Sequence, residues 1–193
     1  MTQRSPISKP PAGAAERIYD ELLVTMIWAG DRRAMDRLAA RWQPRLIRTA
    51  SRYLGSGQDA NAAVQEAWIS ILKGIHGLKD PARFAAWAYG ILRRRCADMI
   101  RKATNRRSVQ IELADGDSSE VTKPLDGVAI RVAFNALPAD QRFAAHLFFV
   151  EGLTLAEISE AQEVPLGTAK SRLFHARRQL KTALSDPPPG DDQ

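Results

Sequence analysis

Only one cysteine, Cys96, occurs in the 193 residues. No internal disulfide framework is therefore possible, and a reducing cytosol fits. A lone cysteine on a helix reads as a small buried apolar residue. Histidine is equally scarce: His76, His146 and His175 are scattered along the chain. No Cys or His pair has the spacing of a zinc site, and no glycine-rich loop matches a phosphate cradle. These absences leave nothing to support an enzyme, a metal or a cofactor. No apolar run approaches the length needed to cross a bilayer, so membrane insertion is not expected. Met1 to Ala15 is rich in Pro, Ser and Ala and lacks the apolar core of a signal peptide. A cytoplasmic protein with disordered ends is expected. Nor does any segment alternate convincingly with a period of two, which makes the expected class all-α.

What the chain does have is apolar content and positive charge. Apolar residues make up 45%, enough for a core, and the formal net charge is +6 with a sequence pI of about 9.8. That balance favours a polyanionic partner or an anionic surface. The length has room for one or two domains.

The most organised stretch runs from Glu151 to Leu180. Thr154 followed three residues later by Glu157 is a capping box, the start of a helix. The chain turns through Gln162, Glu163 and Val164. Pro165 suits the first turn of the next helix, where the N–H it lacks has no partner anyway. In that helix Ala169, Leu173, Ala176 and Leu180 form one inward stripe. Lys170, Ser171, Phe174, His175 and Arg178 fall on another face, flanked by Arg172 and Arg177. From Leu166 to Lys181 there are five Lys or Arg and no acid. A helix-turn-helix puts such a second helix in the DNA major groove, where cations meet phosphates and guanine edges and Phe174 meets a thymine methyl. An ordinary amphipathic helix with a solvated basic face would carry the charge alone. It would not carry the capped scaffold helix, the short turn and the acid-free second helix together.

Upstream, Glu16 to Ala29 has Ile18, Leu22, Leu23, Met26 and Ile27 at helical spacing, closed by Gly30. Asp31 caps a second helix toward Tyr53 with Met35, Leu38, Trp42, Leu46 and Ile47, which Pro44 should kink or break. Gly55 to Gly57 reads as a loop. A third helix from Asp59 to about Lys73 has Val64, Trp68, Ile71 and Leu72 as its buried stripe, with Gln65 and Glu66 elsewhere. Asp80 and Pro81 are an N-cap and first-turn pair. The helix they open runs to about Lys102 with Phe84, Trp87, Ala88, Ile91, Leu92, Ala97 and Ile100. From Arg93 to Arg107 seven Arg or Lys face one acid, Asp98. Aromatics beside cations suit unstacked bases, although Trp87 at this spacing is equally placed for core packing. Residues 105–126 read as a linker. Helices resume near Val128, break at Leu137-Pro138, and continue from Ala139 to Glu151, with His146 tucked into the core or its boundary.

The strings Glu157-Ile158-Ser159, Pro165 to Leu173 and Ala176 to Leu180 resemble the last domain of bacterial sigma factors. The extracytoplasmic-function (ECF) group of the sigma-70 family is the best match. Asp59 to Trp68 resembles the region 2 helix that docks on the coiled coil of the RNA polymerase β′ subunit. Phe84 to Lys102 resembles the helix that recognises and melts the −10 element, and Leu137-Pro138 with Arg142 resembles the opening of region 4. The resemblance implies a disordered 1–15, a region 2 domain over 16–104, a linker over 105–126, a region 4 domain over 127–184 and a disordered tail over 185–193.

It also implies roles. Asp59, Gln65 and Glu66 would bind core polymerase, whose β flap would take region 4. His76, Lys79, Arg83, Trp87, Arg93, Arg94, Arg101 and Lys102 would hold the −10 strand, with the loop Gly74 to Arg83 receiving a flipped base. Lys170, Ser171, Arg172, Phe174, His175 and Arg178 would grip −35 duplex DNA. An anti-sigma factor is a further implied partner. Asn61 and Ala62 stand where the family usually has acids, Arg94 where Asn is frequent, and His175 where Arg is frequent. The competing reading is a helix-turn-helix regulator that acts without polymerase.

Overall fold

A computed structural model describes residues 14–54, 57–110 and 128–185. Eight α-helices make up almost all of them: α1 (Ala14–Trp28), α2 (Arg32–Leu54), α3 (Gly57–Gly74), α4 (Phe84–Gln110), α5 (Val128–Asn135), α6 (Ala139–Phe149), α7 (Leu155–Gln162) and α8 (Leu166–Ser185). Two 3-10 turns, Ile75–Gly77 and Pro81–Arg83, lie between α3 and α4. Among the described residues there is no strand, in keeping with the all-α expectation. Of the expected disordered 1–15, loop 55–57, linker 105–126 and tail 185–193, residues 1–13, 55–56, 111–126 and 186–193 lie outside the described residues; Ala14 and Ala15 open α1, Gly57 opens α3, residues 105–110 continue α4 and Ser185 ends α8.

The punctuation in the sequence acts as its chemistry dictates. Gly30 and Gly152 take positive φ, 90° and 69°, where a Cβ would be strained. The Asp80 side chain accepts from the Ala82 N–H at 3.0 Å, and Pro81 fills the first position. The Thr154 hydroxyl accepts from the Glu157 N–H at 3.3 Å, and the Glu157 carboxylate accepts from the Thr154 N–H at 2.6 Å. Both halves of the capping box are therefore made.

Several details differ from the expectation. Pro44 does not break α2. It and Ala40, whose carbonyl it leaves without an N–H, are exposed, so water can serve that carbonyl. Leu72 is 51% exposed, and Ile18 and Leu22 also face out. The buried side of α3 is instead Ala60, Ala63, Val64, Ala67 and Ile71, and that of α1 is Leu23, Val24 and Ile27. Small alanines let α3 pack closely, and the stripe they set lies beside the large side chains. Ile100, Val132, Phe148 and Val150 are likewise exposed. Helix α4 continues eight residues beyond Lys102, because no Gly or Pro between Ala103 and Gln110 stops it. Pro165 sits just before α8, its carbonyl accepting from the N–H groups of Thr168 and Ala169.

Trp42 is the centre of the core. It is fully buried, with Phe84 edge-on at 4.9 Å and Tyr89 tilted at 5.4 Å. The core does not end with α4. Phe143, Ala144 and Leu147 of α6, Ile158 and Ala161 of α7 and Ala169 of α8 join it. A smaller cluster of Ala133, Phe134, Leu137, Ala145, Ala176 and Leu180 ties α5, α6 and α8 together. Cys96 is buried with a free thiol, and His146 is 3% exposed with Nε2 3.1 Å from the Thr49 hydroxyl.

Candidate nucleic-acid interface

Helix α7 ends at Glu163, whose φ of 54° and ψ of 45° turn the chain in the left-handed region. The Ser159 hydroxyl donates to the Val164 carbonyl at 2.6 Å and fastens that turn. Helix α8 then presents its basic face. Ala169 and Ala176 are fully buried, whereas Lys170, Ser171, Phe174, His175 and Arg178 are exposed. Phe174 is 62% exposed, its ring edge-on to His175 at 5.6 Å. The Ser171 hydroxyl donates to the Thr168 carbonyl, so it offers an outside partner its lone pairs.

Arg172 is placed differently from its neighbours. Its guanidinium donates to Asp140 at 2.6 Å and to the Gln162 amide oxygen at 3.0 Å. The Gln162 amide in turn donates to the Asp140 carbonyl at 2.8 Å. Arg172 thus points into the joint between α6, α7 and α8 rather than out with Lys170 and Arg178.

On α4 the cations divide in the same way. Lys102 is exposed, and Arg101 pairs with Asp98 one turn earlier. His76 and Lys79 are exposed in the segment before α4. Arg83, Arg93 and Arg94, however, reach acids on the other side of the molecule. Arg83 meets Glu160 at 2.7 Å, Arg93 meets Asp140 at 3.3 Å, and Arg94 meets Glu163. Trp87 is half-buried, with its ring against Phe84 and close to Gly74, where a Cβ would meet Cζ2 at 3.0 Å. One side of the indole is packed and the remainder is open.

Asp59, Gln65 and Glu66 lie exposed along α3. A shallow cleft between α3 and α4 brings Asp59 and Glu66 beside Met99, Ile100 and Lys102. Sequence reasoning missed Asp140, Glu160 and Glu163 as partners of the arginines. The available signal was the acidic spacing of three along α7: Glu157, Glu160, Glu163.

Comparison with known proteins decides the family. Residues 38–106 match Sigma-70 region 2, and residues 127–180 match Sigma-70, region 4. The ECF RNA polymerase sigma factor SigM of Mycobacterium tuberculosis is 30% identical over 183 residues, covering 93% of each chain. The chain belongs to the ECF sigma factors of the sigma-70 family. The ECF RNA polymerase sigma-E factor of Haemophilus influenzae is 28% identical over 186 residues, covering 88% of this chain and 97% of that one. The fold is also that of solved sigma factors. The sigma factor RpoE in complex with the anti-sigma factor NepR from Bartonella quintana has a TM-score of 0.69 at 22% identity, covering 80% of this chain and 98% of that one. CnrH in complex with the cytosolic domain of CnrY has a TM-score of 0.63 at 21% identity, covering 86% and 97%.

The region 2 match sets the ECF sigma factor apart from a regulator that shares only the helix-turn-helix. Sigma factors are transcription initiation factors, which work with RNA polymerase on promoter DNA. Among the described residues of this one, no helix is long and apolar enough to cross a membrane.

Proposed function

We propose that this sigma factor divides promoter recognition between its two basic helices. Helix α8 enters the major groove at the −35 element. Lys170 and Arg178 meet phosphates or guanine, Ser171 accepts or bridges through water, and Phe174 and His175 lie along the base edges. Helix α4 and the 3-10 turn before it hold the parted −10 strand through Arg83, Arg93, Arg94, Arg101 and Lys102, with the open side of Trp87 as a stacking surface. His76 and Lys79 line the segment that receives an extruded base. Asp59, Gln65 and Glu66 form the surface for the β′ coiled coil of core polymerase, and region 4 takes the β flap. The working units are residues 16–104 and 127–184, joined by 105–126. The protein acts in the cytoplasm, catalyses no reaction of its own and is held in check by an anti-sigma factor.

The observation that carries this reading is the single exposed, acid-free face of α8 behind a capped scaffold helix and a left-handed turn. In vitro transcription with bacterial core polymerase and a library of promoter fragments tests it. Specific initiation should appear only when the protein is added. Initiation that survives alanine at Lys170, Phe174 and Arg178 together would remove α8 from −35 recognition.

A further inference from the structure

The outward face of α2 carries a charge pattern that α4 and α8 do not account for. Arg32–Leu54 holds seven arginines, no lysine and one acid, Asp36. The whole chain has 28 Lys and Arg against 22 Asp and Glu, so setting α2 aside leaves 21 of each and no net charge. At about 100° per residue, Arg33, Arg37, Arg41, Arg45, Arg48 and Arg52 fall within an arc of about 120°. The buried side of α2 sets Trp42 against Phe84 and Tyr89 of α4, so the arginine face looks away from α4. At one edge of the arc Arg41 pairs with Asp20 at 2.7 Å, and Arg45 pairs with Glu151 at 2.8 Å. Arg33, Arg37 and Arg48 are exposed, Arg52 is half-buried, and none of the four has an ion pair among the described residues.

Helix stability does not explain this arrangement. The first turn of α2 holds no acid, and Arg33 there opposes the helix dipole. Arg33 with Arg37, and Arg37 with Arg41, are like charges four residues apart, which repel. A row of phosphates relieves both penalties. No large apolar side chain of α2 is exposed. The face therefore lacks the apolar anchors of a protein interface or of a helix that lies in a bilayer surface. It has no exposed ring on which an unpaired base could stack. Ala40, Pro44 and Ser51 lie on the same side and are small, so they leave the guanidinium groups room. An arginine fork matches a phosphate through two parallel N–H donors. We propose that Arg33, Arg37, Arg48 and Arg52 grip the phosphate backbone of duplex DNA without reading its sequence. From Arg33 to Arg52 the row extends about 28 Å. Such a contact adds affinity and leaves promoter choice to other surfaces.

The test uses the full chain without polymerase, so its outcome is separate from that of the initiation assay. Binding to a short labelled duplex of mixed sequence is read by fluorescence anisotropy over a series of salt concentrations. Arg37→Gln with Arg48→Gln removes two cations of the row. Arg32→Gln with Lys73→Gln makes the same charge change off that face. The α2 pair should lower the slope of log affinity against log salt by about 2, and each single variant by about 1. The control pair should leave the slope near that of wild type. The difference should persist with Lys170 and Arg178 also changed to alanine, which sets the α2 face apart from α8. Circular dichroism checks that α2 is kept, and if the pair fails to fold, the single variants decide. Equal slopes for the α2 and control pairs, or no duplex binding by wild type at low salt, would overturn the proposal. The same variants are run on phosphatidylglycerol vesicles and on poly-glutamate. A loss seen only on one of these, with duplex binding unchanged, gives the face to a lipid surface or an acidic protein instead.

Discussion

Arg45 and Glu151 join the two sigma regions through the interior: Nε of Arg45 donates to Oε2 of Glu151 at 2.8 Å, and the Glu151 side chain is 4% exposed. The guanidinium also lies over the Trp42 ring, 4.1 Å from its centroid. Removing one member of a buried pair leaves a charge without its partner. Asp20, 3.6 Å from Arg45, supplies part of the replacement. Glu151→Ala should therefore cost toward the low end of about 3–5 kcal/mol in chemical denaturation.

The same carboxylate sets a pH dependence. Burial alone would raise its pKa, but His146, Tyr89 and Arg45 together pull it down from 4.5 to about 2. A depressed carboxylate contributes stability that is fully present above its unfolded pKa and is lost as pH falls through the folded one. The contribution should be whole above 4.5 and fade toward 2, up to about 3 kcal/mol. Denaturation midpoints measured down this range should fall, and Glu151→Gln should flatten that part of the profile.

Arg172 and Lys170 are two residues apart and should behave oppositely. Arg172→Ala strands the Gln162 oxygen, in a side chain almost wholly buried, and should cost about 1–3 kcal/mol of stability. Lys170→Ala should leave the melting temperature nearly unchanged. It should weaken polymerase-bound promoter contact across sequences and reduce the salt slope by about 1. Phe174→Ala should change base preference without changing that slope.

Cys96 should be inert in the folded protein. Burial pushes its thiol pKa up to about 12, so little thiolate is present near neutral pH. Iodoacetamide followed by mass spectrometry should show a single adduct only after denaturant is added. Rapid labelling of the native chain would mean that α4 opens from the core.

Thr154 carries a local helix start with a long reach. Thr154→Ala removes the hydroxyl of the capping box and should cost about 1 kcal/mol. The loss should appear as a lowered melting temperature. Because Glu157 also pairs with Arg17, Glu157→Ala should cost more than Thr154→Ala.

What the sequence alone determined is what depends on neighbours along the chain. Thr154 with Glu157, Asp80 with Pro81, and Gly30 each set a helix boundary through bonds within a few residues, and each boundary formed. The spacing of Ala169, Leu173, Ala176 and Leu180 was enough to sort α8 into an inward stripe, buried except at half-buried Leu173, and a basic face, because one helical period relates them. Only the tertiary structure decided which cations are available. Arg93, Arg94 and Arg172 look alike in sequence to Lys102 and Arg178. Their difference comes from Asp140 and Glu163, 47 and 69 residues away from Arg93 and Arg94. Likewise nothing local marks Leu72 for the outside and Ala67 for the inside. That choice rests on how closely α3 can approach its neighbours, and close packing between helices is a property of the assembled fold.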